Sequence, residues 1–195
     1  MIRIDAAVHQ LLHGHVKREM ETPILTPRLE LRPFKVSDVD GIAELLADGE
    51  ATKFIGNVKP RQAAAESVFV MRDAFASRGW GTLAVIPRDS QCCVGYCGVR
   101  PLAHTSEIEI AFALQRQCWN QGYATEAARA SIDAAFRTLQ IKSIVATVYP
   151  ENKPSLRVLE KLGMTVECEV FGHWPMTVAL LFRLEAERWL ELGSC

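Results

Sequence analysis

The sequence predicts an α/β (α+β) chain, a single mixed sheet with helices on both faces, and three observations carry that expectation. The segments follow the order β-α-α-β-β-β-α-β-α-β-β with no internal repeat. Residues Ser106–Leu114 alternate strictly, with Ile108, Ile110, Phe112 and Leu114 on one face and Glu107, Glu109, Ala111 and Ala113 on the other. Ala124, Ala127, Ala128, Ser131, Ile132, Ala135, Phe136 and Leu139 keep the 3.6-residue period of a helix that lays small residues against a sheet.

Leu29 and Leu31 alternate with Glu30 and Arg32, which gives an opening strand ending near Phe34. Ser37 is placed to cap a helix running to about Ala47, with Ile42, Leu45 and Leu46 inward. Pro60 suits the first turn of a second helix, whose apolar face is Val68, Met71 and Phe75 and whose stop is Gly79. Gly81–Pro87 and Cys92–Leu102 read as a hairpin around the Arg88-Asp89-Ser90 corner. Beyond the long helix, Ile144–Tyr149 is a β-branched strand. Pro154 then opens a short helix ended by Gly163, and Met164–Phe171 and Met176–Leu184 are the closing strands.

A chain of 195 residues that is 49% hydrophobic forms one core-bearing domain with at most an appendage. Residues 1–22, with Val8, Leu11 and Leu12 on one side, are that appendage, a candidate amphipathic helix ended by Pro23; the domain is 23–195. It is also a candidate contact for a protein partner. His9 and His13 stand four apart with His15 nearby, but no acidic or cysteine partner completes a site, so no metal is expected. With 22 Lys+Arg against 23 Asp+Glu there is no basic field to hold nucleic acid. No apolar run approaches the roughly 20 residues of a membrane span, and Asp5 and His9 interrupt what a signal peptide needs, so a cytoplasmic address is expected. The six cysteines lack zinc-ribbon spacing and are expected to be reduced.

Chemistry concentrates between Glu109 and Glu126, EIAFALQRQCWNQGYATE. A strand runs into a loop holding Gly122 and Ala124, and the loop runs into the long helix. Successive N–H groups there converge with the positive helix terminus, a cradle suited to phosphate or pyrophosphate, although many α/β proteins use such a turn purely as a connection. The fingerprints G-x-G-x-x-G and G-x-x-x-x-G-K-[ST] are absent, which sets aside dinucleotide and nucleotide triphosphate sites.

Trp119–Ala127, WNQGYATEA, resembles the acetyl-CoA signature of the GNAT N-acetyltransferase superfamily, in the form of its RimJ/RimL-like subgroup. Thr26–Arg32 (TPRLELR) is similar to that subgroup's opening strand. Asn152-Lys153-Pro154-Ser155 with Val158–Met164 is similar to its second cofactor motif.

The resemblance implies a mostly antiparallel sheet splayed between its fourth and fifth strands and an acetyl-CoA cosubstrate. It also implies an amine acceptor, either a protein N-terminus or a small molecule; with nucleic acid and membrane set aside by charge and hydropathy, the expected assembly is a monomer or homodimer. The backbone of Phe112 and Leu114 would meet the pantetheine arm, and N–H groups of Asn120, Gln121, Gly122, Tyr123, Ala124 and Thr125 the pyrophosphate. Trp119 departs from the Gln or Arg often found there and reads equally as a packing residue. Asn152 would bond the cofactor arm or simply cap a helix. Leu159 stands where many relatives carry a tyrosine acid, so Ser155 has two readings, a donor to the departing sulfur and a cap. An amine must lose a proton before it attacks, and Glu109 is the first candidate base, Glu107 the second, followed by His104, His173 or no single base. Direct transfer gives the cysteines no catalytic role, and Cys97 and Cys118 read as packing residues. The competing reading is a catalytically weak acyl-CoA-binding regulatory module.

Overall fold

The computed structural model describes residues 18–172 and 177–193. The helix expected over 1–22 therefore falls largely outside the described residues, as do His9, His13, His15, His173 and Cys195.

Strands β1 (Ile24–Leu25) and β2 (Leu29–Arg32) lead through a 3-10 turn at Val36–Asp38 into helices α1 (Val39–Ala47), α2 (Gly49–Thr52) and α3 (Arg61–Arg78). The meander β3 (Thr82–Pro87), β4 (Gly95–Pro101) and β5 (Ile108–Leu114) follows. Then come α4 (Tyr123–Leu139), β6 (Ser143–Val148), α5 (Lys153–Lys161), β7 (Thr165–Phe171), β8 (Val178–Glu185) and α6 (Ala186–Gly193). The strands form one eight-stranded sheet in the order β1-β2-β3-β4-β5-β6-β8-β7, antiparallel except at β5/β6.

Strand β3 explains the layering. All six of its residues are buried, because alternate side chains serve opposite cores. Leu83 and Val85 pack with Ala127, Ala128, Ile132 and Ala135 of α4, whereas Ala84 and Ile86 pack with Ile42 and Leu45 of α1 and Val68 of α3. Helices therefore cover both faces, as expected.

Three elements were not anticipated: β1, α2 and α6. The first two are too short to carry a period. In α6, Trp189 is buried against Phe136 with ring centroids 6.4 Å apart, which seats the terminal helix on α4. The expected cap of α1 also moves. Ser37 lies inside the 3-10 turn, and Asp38 organises the corner instead, accepting the Lys35 N–H at 2.7 Å and both terminal nitrogens of Arg32 at 2.7 and 2.8 Å. A carboxylate with an arginine partner serves a buried corner better than a hydroxyl does. Gly79 ends α3 at φ 78° as anticipated.

The segment before Pro23 is packed from Arg18 onward. The Arg18 guanidinium bonds the Leu139 carbonyl, the Met20 N–H donates to Gly79 O at 2.8 Å, and the Met20 side chain is buried in the α4-side core. Met20→Ala is expected to cost about 2–4 kcal/mol in urea unfolding, the range of a methionine removed from a core. Leu25→Ala, on an exposed side chain, should stay within about 0.5 kcal/mol.

Candidate functional site

Strands β5 and β6 pair at a single registered position, Glu109 opposite Val145. Beyond it they diverge, and residues of both strands line a cavity of about 230 Å³, among them Ala111 and Phe112 from β5 and Thr147 and Val148 from β6. The direction of each β5 amide follows from two bonds: Leu102 N–H donates to Glu107 O, and Gln115 N–H donates to Val94 O, both at the β4 side. Backbone groups alternate along a strand, so odd-numbered residues face β4, and Phe112 and Leu114 turn theirs into the opening. The Leu114 carbonyl accepts the Trp119 indole N–H at 2.8 Å, which gives Trp119 a job of its own: it ties the loop to the end of β5. A carbonyl has a second lone pair, and among the described residues the Phe112 groups and the Leu114 N–H have no pairing partner on β6.

The loop beyond is shaped for an anion. Asn120 at φ 60° and Gly122 at φ 81° are both left-handed, and Gly122 caps α4 without any side-chain hydrogen bond. Among the described residues, no amide from Asn120 to Thr125 donates to a protein acceptor; the first to do so is Glu126, to Gly122 O. A 17-residue helix thus presents an unsatisfied positive end. In front of it lies a larger cavity of about 530 Å³, with Lys53, Arg157 and Lys161 outweighing Glu50 and Glu151 among its charged residues. Open amides, a helix terminus and a basic rim fit the diphosphate and phosphate of coenzyme A.

A clamp that sequence reading did not find braces this loop. Arg28 donates through Nε to Glu126 at 2.7 Å and through Nη1 to Gln121 O at 2.8 Å, and its guanidinium lies 4.8 Å from the Tyr123 ring centroid. Thr26 Oγ1 donates to the same carboxylate at 2.6 Å. Burial pushes Glu126 up, but the Thr26 and Arg28 hydrogen bonds outweigh it and hold the carboxyl below its ordinary range. Stability from this depressed group is complete above an unfolded value of about 4.3 and is lost as pH falls through the folded one. Arg28→Ala is expected to weaken acetyl-CoA binding about 5- to 30-fold at pH 7, measured by calorimetry, because loosening the loop removes preorganisation.

The two cavities share Phe54, Ile55, Phe112, Asn152 and Ser155, so they are halves of one channel that meet at the strand opening. Asn152 Oδ1 accepts the Ser155 N–H at 3.3 Å, so it does cap α5, and among the described residues its NH2 has no protein acceptor. Ser155 belongs to both halves, and Leu159 is a buried wall of the smaller one. In that half, Glu109 is buried and accepts Arg100 Nε at 2.7 Å through Oε1. The Phe54 and Tyr149 rings stack nearby at 6.2 Å, which puts the segment after α2 on the wall of the smaller half.

The remaining candidates separate. Glu107 lines neither cavity; it holds both terminal nitrogens of Arg183 at 3.2 and 3.0 Å, and those hydrogen bonds are the foremost cause of the raised Arg183 pKa. His104 is exposed on the β4–β5 turn. Asn120, Gly122, Tyr123, Ala124 and Thr125 line the larger cavity, whereas Gln121 does not: its side chain donates to Gln117 O and its carbonyl is held by Arg28. Cys118 lines the larger cavity, and burial raises its thiol, as it raises Cys97 to about 12, so both are protonated packing groups at neutral pH. The five described cysteines are free. Among the described residues, no cluster of three or more metal-ligating side chains occurs, and no helix is long and apolar enough to cross a membrane.

An opened sheet next to an amide cradle is the arrangement an acyl-CoA-dependent transferase requires. The model of the acetyltransferase (GNAT) domain matches residues 28–165, and the chain belongs to that family. It is 33% identical over 150 residues to the uncharacterized N-acetyltransferase YnaD of Bacillus subtilis, covering 74% of this chain and 83% of that one. A GNAT-family acetyltransferase structure from Bacillus anthracis superposes with a TM-score of 0.73 at 27% identity, over 84% of this chain and 98% of the other. Mycobacterium smegmatis RimJ, solved in complex with CoA-disulfide, shares the fold with a TM-score of 0.67 at 22% identity, over 85% and 89% of the two chains. The chain is an acetyltransferase, and acetyl-CoA is its cosubstrate.

Proposed function

We propose that the enzyme acetylates a primary amine, a protein N-terminal α-amine or a small-molecule amine, by direct transfer with Glu109 as base. The observation that carries this reading is the continuity of the two cavities through Phe112, Asn152 and Ser155, which lets a donor and an acceptor meet at the strand opening. Acetyl-CoA, when bound, supplies an acetyl thioester whose C–S bond breaks as the C–N bond forms.

Backbone groups of Phe112 and Leu114 align the arm, and amides from Asn120 to Thr125 hold the diphosphate. The Asn152 NH2 steadies the arm near the reacting carbon. Glu109 Oε2 receives the ammonium proton, directly or through one water, while Arg100 keeps Oε1 in place. The second proton, shed as the amine nitrogen becomes an amide, reaches the sulfur through the Ser155 hydroxyl. Burial in the smaller cavity favours Glu109 over Glu107, which is committed to Arg183.

Free-CoA release across a panel of amines and N-terminal peptides tests this reading. Product from at least one amine supports it, and no product from any, with acetyl-CoA still bound, supports a binding module instead. A cytoplasmic enzyme, monomeric or homodimeric, completes the proposal, and sizing chromatography tests the latter.

A further inference from the structure

We propose that the acceptor half of the channel reads a carboxylate beside the reacting amine, through Arg100, so that small amino-acid-like zwitterions are its acceptor class. The inference rests on the acetyl-transfer reading above.

Arg100 stands on β4 directly opposite Glu109 on β5. A guanidinium offers five donors in a planar fork. Arg28 spends Nε, Nη1 and Nη2 on protein acceptors, and so does Arg183; these are structural clamps. Arg100 spends Nε alone, and among the described residues its Nη1 and Nη2 have no acceptor. Its side chain is 53% exposed and lines the smaller cavity, so the unused edge of the fork is accessible from the acceptor space. Burial lowers the Arg100 pKa, but the charge and hydrogen bond of Glu109 more than offset this, and the guanidinium stays charged.

Among the described residues, Arg100 and Glu109 are the only pair of opposite charge lining this half, and together they are neutral. A plain amine cation is drawn to Glu109 and repelled by Arg100. A molecule bearing both signs satisfies both, with ammonium toward Glu109 Oε2 and carboxylate on the Nη edge in the geometry arginine favours. A cavity of about 230 Å³ is below the usual range for drug-sized ligands and suits a residue-sized molecule. Tyr96, Leu102 and the stacked Phe54 and Tyr149 rings provide an apolar wall for its side chain.

The test is CoA release by the full chain and by its Arg100→Gln and Arg100→Lys variants. The acceptors are matched sets: an apolar amino acid, its amide, its decarboxylated amine and a short peptide beginning with the same residue. Wild type is expected to favour the free acid by about 10- to 100-fold in kcat/KM, the scale of a charge-assisted hydrogen-bonded pair. In Arg100→Gln that ratio should fall to within about twofold, whatever happens to the absolute rates, and Arg100→Lys should retain part of it. Equal use of acid and amide by wild type overturns the proposal while acetyl transfer stands, and so does a ratio that survives Arg100→Gln. Preference for the peptide overturns it in favour of a protein N-terminus. No turnover of any amine overturns both readings together.

Discussion

Glu109→Gln is expected to lower kcat/KM for the amine by about 10²- to 10⁴-fold at pH 7, the usual range for loss of a positioned base. Acetyl-CoA affinity should be unchanged within about twofold, because of the two cavities Glu109 lines only the smaller, away from the proposed diphosphate cradle at the start of α4. The pH dependence distinguishes a base from a mere structural partner of Arg100. The α-amine of a peptide acceptor has a pKa of about 8, so with such an acceptor the amine arrives already neutral above that value and needs no base. The deficit of the variant should therefore shrink as pH is raised through about 8 to 9.5. A deficit constant across that range would show that Glu109 shapes the pocket without taking the proton. Glu107→Gln, whose carboxylate lines neither cavity, should keep activity within a few-fold.

Gly122 carries the second large effect. Asn and Asp both tolerate the left-handed backbone that Gly122 adopts at φ 81°, and they have the same size. Gly122→Asn and Gly122→Asp therefore share the steric and backbone cost and differ by one negative charge at the amide cradle. A unit charge about 4 Å from another is worth roughly 1 kcal/mol in water and about 4 at an effective dielectric of 20. Acetyl-CoA should accordingly bind the Asp variant at least about fivefold more weakly than the Asn variant by calorimetry. The gap should narrow in high salt, since this site is open to solvent. Equal affinities for the two variants would place the diphosphate elsewhere.

The parts legible in the sequence were those with a period or a sterically singular residue. Strand β5 alternates and α4 repeats at 3.6, so the loop between them was located together with Gly122, whereas the part given to the Phe112 and Leu114 backbone came from the family resemblance. Asn152 and Pro154 marked α5 because capping is local. The clamp of Arg28 on Glu126 was invisible, since 98 positions separate the two and nothing in a single chain pairs them. Arg100 was within reach: an antiparallel return from β4 to β5 sets it against Glu109, a consequence of hairpin register that the residue types alone do not announce. Ser155 and Asn152 were placed on the correct helix turn, but their shared position at the meeting of two cavities depends on how far β5 and β6 part. The terminal helix α6 rests on Trp189 finding Phe136, a tertiary match with no local signature.

Alternation along β5 divides labour between even and odd positions. Under the proposed mechanism the main-chain groups of even-numbered Phe112 and Leu114 serve the donor, whereas the side chains of odd-numbered Glu109 and Ala111 line the smaller cavity. On that mechanism side-chain identity along β5 matters little to the donor and much to the acceptor. A lineage carrying this framework is free to exchange its target molecule by altering a few side chains on one face, leaving the thioester delivery intact.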